Sequence, residues 1–242
     1  MSFRTIARSM PRQFRLVLQS FLHRDDLAFA DVLPEQEIQA AFDDENVAFA
    51  QDENDVYTPQ VTLWAFLSQA VFKGEHRSCV AAVARVAVLM AAMHRRVSND
   101  TAAYCRARAR LPETVIERLA ISLADRCEQT VPPQWLWHRR HVHLVDGTTL
   151  SMPDTPANQA AWPQPRSQKK GLGFPLIRLV VLMSLATGMT TGMALGPYRG
   201  KRTGETALFR RLLGSLRPGD IFVADRYMCS YFMLALAKEK GV

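Results

Sequence analysis

The hydrophobic period of this chain changes near residue 141, and that change bounds what each part can fold into. Before it, apolar residues recur three and four apart, the spacing of one helix face. Leu63, Trp64, Leu67, Ala70 and Val71 make one such stripe, ending near Gly74. Ser78 is placed to cap a helix carrying Val80, Val83, Ala87, Met90 and Ala91. Ser98-Asn99-Asp100 precedes a short helix over 101–110, and Pro112-Glu113 opens another with Val115, Ile116, Leu119, Ala120 and Leu123 on one face. Pro132-Pro133 then breaks the pattern. After Arg140 the apolar runs are short and rich in Ile, Val and Leu, which predicts strands over 141–146, 174–186, 189–198 and 221–225. Helices are expected over 205–216 and 230–240, Gly241 ending the latter. The order is strand, strand, strand, helix, strand, helix. The expected fold class is α+β or α/β: an N-terminal helical bundle followed by a sheet domain.

Charge divides the chain differently. Residues 1–60 carry 5 basic and 11 acidic side chains, net −6, whereas residues 61–242 carry 25 and 12, net +13. Residues 1–59 are therefore expected to be an acidic helical leader, with Phe14, Val17, Leu18, Phe21 and Leu22 at helical spacing and Pro34 at a first turn. Of the basic residues 24 are Arg and 6 are Lys, a bias that suits bidentate phosphate contacts and a polyanionic partner. The four cysteines, Cys79, Cys105, Cys127 and Cys229, form no CxxC pair, which argues against a zinc site and for a reducing compartment. The longest apolar runs are interrupted by Arg85 and Arg178 and fall short of the ~20 residues a spanning helix needs. The N-terminus lacks the apolar core of a signal peptide, so a cytoplasmic protein is expected.

Two carboxylates stand out by position. In HVHLVD, alternation puts Val142, Leu144 and Asp146 on one strand face, and in DIFVAD it does the same for Ile221, Val223 and Asp225. Each strand thus presents two apolar positions and then an Asp at its C-terminal end. A carboxylate on a buried face needs a cation or water, and a pair of them suits the hard cations Mg2+ or Mn2+. Each Asp could instead simply cap its turn. His141 and His143 lie on the opposite face, where a packed pair is the expectation.

The runs Val142–Leu150 (VHLVDGTTL), Asp220–Tyr231 (DIFVADRYMCSY) and Gly200–Glu205 (GKRTGE) resemble bacterial insertion-sequence transposases. The nearest group is the DDE cut-and-paste (insertion sequence four) group whose last motif is Tyr-Arg-Glu-Lys. The likeness extends from about Thr58, through TPQVTLWAFLSQ and TAAYCRARARLP, to Val242. It implies a ribonuclease H-like βββαβα core over 141–242, with Asp146 and Asp225 as catalytic, metal-holding residues. It also implies a DNA-end-binding domain over 60–140, Mg2+ or Mn2+ as cofactor, and double-stranded DNA, both transposon ends and target, as partner. A homodimer and a place at the bacterial nucleoid follow from the same likeness. The family's two metals activate water and stabilise the leaving 3′ oxygen.

The sequence departs from the family at the third carboxylate, a Glu on a helix beyond the second Asp. After Asp225 the acid that remains is Glu239, without Tyr or Arg at the required offsets. Tyr198, Lys201 and Glu205 imitate the motif but precede Asp225, and are read as coincidence. The chain is therefore expected to be an amino-terminal portion of a transposase with an incomplete core, inactive alone, and the alternative function is a DNA-binding or regulatory remnant. Candidate DNA contacts are Arg106, Arg108 and Arg110 in the helical part, and Lys169, Lys170, Arg199, Lys201 and Arg202 beside the strands. Trp135 and Trp137 are read as packing or interface residues. A haloacid dehalogenase-like phosphatase, suggested by VDGTT, fails because the nucleophile position holds Leu144.

Overall fold

A computed structural model describes residues 32–50, 52, 54–92, 94–169 and 171–242. The expected stripe from Phe14 to Leu22 lies outside the described residues. The chain forms two compact units, one reaching Leu119 and the other covering Ala120–Val242.

The first unit is helical: α1 (Glu35–Asp44), α2 (Pro59–Val71), α3 (Cys79–Ala92) and α4 (Thr101–Arg108), followed by the start of α5 (Glu113–Gln129). Local chemistry sets the starts. The Thr58 hydroxyl accepts from Val61 N–H with Pro59 in the first turn, and the Asp100 carboxylate accepts from Ala102 N–H. Ser78 does the same for Ala81 N–H. Pro34 stands just outside α1 as its cap rather than in its first turn. Phe42, Leu63, Ala65, Val83, Val86, Tyr104 and Val115 are among the most deeply buried core residues. Burial pushes the Tyr104 phenol up to about 12, so it donates, un-ionised, to Gln69 Oε1.

The second unit holds a four-stranded mixed sheet. Its strands are β1 (Val142–Ser151), β2 (Leu176–Ser184), β3 (Thr190–Pro197) and β4 (Ile221–Ala224), in the spatial order β3-β2-β1-β4. β1 pairs antiparallel with β2, β2 antiparallel with β3, and β1 parallel with β4. Helices lie between and after them: α6 (Pro156–Ala161) between β1 and β2, α7 (Glu205–Leu212) between β3 and β4, and α8 (Tyr231–Lys240) after β4. The order is the expected one with α6 added. β1 runs five residues past Asp146, because Gly147–Ser151 pairs with Val180–Leu176 although its residues do not alternate in polarity.

The buried face of the sheet is the reverse of the expected one. Val145, Val180, Leu182 and Ala194 form the core with Leu208, Phe209 and Leu212 of α7 and Met233 of α8. Alternation then turns Leu144, Asp146, Val223 and Met193 to the other face, where Val223 is 51% and Met193 40% exposed. Among the described residues, no helix is long and apolar enough to cross a membrane.

Candidate active site

The parallel pairing of β1 with β4 runs Val142↔Ile221, His143↔Phe222, Leu144↔Val223 and Val145↔Ala224. The next rung would set Asp146 opposite Asp225, on strands that lie about 4.8 Å apart in any sheet. Both residues are exposed, at the C-terminal end of the parallel pair and on the open sheet face. Each carboxylate uses one oxygen locally. Asp146 Oδ1 accepts from the Gly147 N–H at 2.8 Å, and Asp225 Oδ1 accepts from the Met228 N–H at 2.9 Å, closing the turn that leads to α8. The second oxygen of each has no hydrogen-bond partner among the described residues.

Two polar contacts hold the strand from its other face. His143, 4% exposed, makes a 3.0 Å hydrogen bond through Nδ1 to the Thr191 hydroxyl, and its Nε2 lies 3.4 Å from Asp220 Oδ2. Just before the strand, His141 Nδ1 meets Glu128 Oε2 at 2.7 Å, and the Thr187 hydroxyl donates to Glu128 Oε1. Burial alone would raise the Glu128 carboxyl, but hydrogen bonds from Ser184, Thr187 and His141, with the His141 charge, outweigh it and hold the group below its ordinary value. Asp220 behaves alike: burial raises it, while His143 and the Arg217 N–H bring it down further. His143 is thus packed, as expected, while His141 is only half-buried against Glu128. Sequence reasoning misses their partners Glu128, Asp220 and Thr191, because nothing local marks a partner 13 or 48 residues away. A signal does exist in two histidines beside an alternating strand, which must find polar partners if buried.

Sequence order also hides Glu205. A Cβ added at Gly147 would stand 2.7 Å from Glu205 Cγ and Cδ and 3.0 Å from Oε1. The first residue of α7 therefore lays its side chain against the backbone directly after Asp146, where any side chain at 147 would require Glu205 to shift. Its place before Asp225 in the chain gives no hint of this approach. Even so, among the described residues no three His, Cys, Asp or Glu side chains are grouped to hold a metal. Asp146 and Asp225 offer two hard oxygens without partners, which fits one Mg2+ or Mn2+ completed by water and phosphate oxygens.

The candidate DNA contacts separate. Arg106 is exposed on α4, and Arg110 lies beyond its end with its guanidinium 5.9 Å from the centre of the Phe49 ring. Both line an open cavity that also holds Asp55 and Asp100. Arg108 is half-buried, donating to Gln69 Oε1 at 3.2 Å and lying over the Tyr104 ring, so it serves the helical core. Lys169 and Arg199 line one cavity, Lys201 and Arg202 are exposed in the turn before α7, and Lys170 lies outside the described residues. Trp135 and Trp137 are 62% and 60% exposed, so neither is packed in this chain.

Residues 137–242 match the family model described as Transposase DDE domain. The chain is similar to "Putative transposase InsZ" of Escherichia coli (strain K12), with 24% identity over 145 residues covering 52% of this chain and 48% of that one. The chain thus spans about half the length of the curated relative it matches. No solved structure matches it.

Proposed function

We propose that this chain acts in DNA transposition, as part of a cut-and-paste enzyme of the Tyr-Arg-Glu-Lys group with a ribonuclease H-like core. The observation that carries this reading is the parallel pairing of β1 with β4, which ends one rung before two exposed aspartates. The match of residues 137–242 to a transposase DDE domain and the likeness to a transposase-named protein support it. Asp146 and Asp225 would hold Mg2+ or Mn2+, which when bound would supply charge neutralisation at the scissile phosphate and an activated water. The chain's own residues do the rest. Gly147 and the turn at Met228 orient the two carboxylates through backbone N–H groups. The net +13 over residues 61–242 draws DNA to the protein. The cytoplasm, at the nucleoid, is where such a substrate would be met, as a homodimer.

The third carboxylate of the group's motif has no counterpart after Asp225: Glu239 is exposed near the end of α8. Residues 1–242 by themselves would therefore hold metal and DNA without a two-metal clamp. Electron paramagnetic resonance titration with Mn2+ tests the site. Weak binding by the parent, lost in Asp146→Asn and in Asp225→Asn, is expected. Equal Mn2+ uptake by parent and variants would refute the assignment.

A further inference from the structure

The connection from β1 to β2 folds back on itself and, with Arg199 from the turn after β3, lines an open cavity of about 720 Å3. That is within the range of about 300–1,000 Å3 typical of small-ligand pockets. Its frame is built by glutamines. Gln159 Nε2 donates to Asp154 Oδ1 at 2.8 Å and to the Gly173 carbonyl at 3.1 Å. Gln164 Nε2 donates to the carbonyls of Gln168 and Lys169, and its N–H donates to Gln159 Oε1. These bonds consume the amide donors, so the glutamines hold shape and leave ligand recognition to charge.

The charge is left over. Arg166, Lys169 and Arg199 line the cavity and form no ion pair among the described residues, while Asp154, already taken by Gln159, is its acidic member. Three cations against one anion leave +2 at a concave site. Two guanidinium forks and an ammonium around one concavity offer the kind of donors that phosphate oxygens accept from. Gly173 closes the frame: a Cβ there would stand 2.2 Å from Gln168 Oε1 and 2.8 Å from Gln164 Nε2.

We infer that this pocket is a phosphate subsite, filled by a backbone phosphate of DNA. The inference rests on the transposition reading for its ligand but not for its chemistry, since a free nucleotide carries the same group. It goes beyond the sequence-based set of cations by adding Arg166, by joining Lys169 with Arg199, and by separating both from Lys201 and Arg202.

Fluorescence anisotropy of the 242-residue protein with a labelled duplex, across a salt series, tests it. Neutralising Arg166, Lys169 and Arg199 together to Ala is expected to weaken binding at least tenfold at low salt. The slope of log K against log salt should become shallower by about 0.9 for each phosphate that the variant no longer neutralises. The charge-keeping triple change to Lys, Arg and Lys should retain most of the slope. Gly173→Ala, which alters no charge, should weaken binding too, with the circular dichroism spectrum unchanged. Neutralising the exposed Lys73, Arg210 and Lys238 should cost less than the pocket triple. Competition with millimolar deoxynucleoside monophosphate separates the two phosphate sources: pocket-dependent binding of the nucleotide, with duplex binding independent of the pocket, would keep the phosphate subsite and overturn its assignment to DNA. Equal effects of the pocket and control triples, with Gly173→Ala silent, would overturn the pocket while leaving DNA binding intact. A parent chain that binds neither DNA nor nucleotide would overturn both readings.

Discussion

Gly147→Ala isolates one close approach beside Asp146. Gly147 has no positive φ, so an alanine there meets no backbone strain and acts through its methyl group alone. That methyl would stand 2.7 Å from Glu205 Cγ and Cδ, about 0.7 Å inside the 3.4 Å at which ordinary contact begins. Neither backbone can yield easily. Gly147 is paired with Val180 in the sheet, and α7 is anchored by the buried Leu208, Phe209 and Leu212. Glu205 must therefore leave its position. Overpacking costs roughly 1–3 kcal/mol, and the reduced freedom of the unfolded chain returns about 0.4–1 kcal/mol. The net expectation is a loss of about 1 kcal/mol, or roughly 2–4 °C in Tm for a chain of this size. Glu205→Ala alone should cost about 0.3–1 kcal/mol, because it removes the carboxylate from the first turn of α7.

The decisive measurement is the double-mutant cycle, by urea denaturation followed with circular dichroism. With Glu205 truncated the overpacking disappears, so Gly147→Ala should become stabilising by about 0.4–1 kcal/mol, a coupling of about 1–3 kcal/mol between the sites. Additivity of the two changes within about 0.3 kcal/mol would refute the close approach, as would a Gly147→Ala protein no less stable than the parent.

Acid should weaken the sheet unit through Glu128 and Asp220. Both carboxyls titrate below their ordinary values in the folded chain, so their contribution is complete above about pH 4.5 and disappears as pH falls through the lowered values; urea midpoints measured from pH 6 to pH 3 should drop, and drop less in Glu128→Gln. Asp225→Ala should lose the bond to the Met228 N–H at a cost of about 0.5–1.5 kcal/mol, while Asp225→Asn keeps an acceptor there; equal melting of the two variants would contradict the turn. The isolated 242-residue protein should not nick transposon-end DNA with Mg2+ or Mn2+, and nicking that depends on Asp146 would show that two carboxylates suffice.

Local chemistry makes most elements legible from the residues alone. Caps at Ser78 and Asp100 act through the side chains that mark them, and Gly241 ends α8 at φ 79°. Elements that depend on distant partners are not legible. The outer half of β1 is held by β2 rather than by its own polarity pattern, and α6 is a six-residue turn of helix inside a connection. The face of the sheet that becomes core is hidden for the same reason. Apolar residues occupy both faces of β1 and β4, and only the packing of α7 and α8 decides which is covered. The neighbouring strand ends before Asp146 and Asp225 are legible because a strand's period of two and the order of elements determine them without any side-chain contact.

That period also explains why the far face matters to the aspartates. A slip of one residue in β1 would exchange every side chain between the faces, sending Asp146 into the core. Apolar packing resists such a slip weakly here, since Leu144 and Val145 could each fill an apolar position. The polar contacts resist it strongly. His143 has its partners Thr191 and Asp220 only in the observed register, and a shift would leave the Asp220 carboxylate without its imidazole. Gly147 adds a steric check, because a Thr148 brought to its place would collide with Glu205. A buried imidazole and a missing methyl group on one face therefore hold the register that sets Asp146 beside Asp225 on the other.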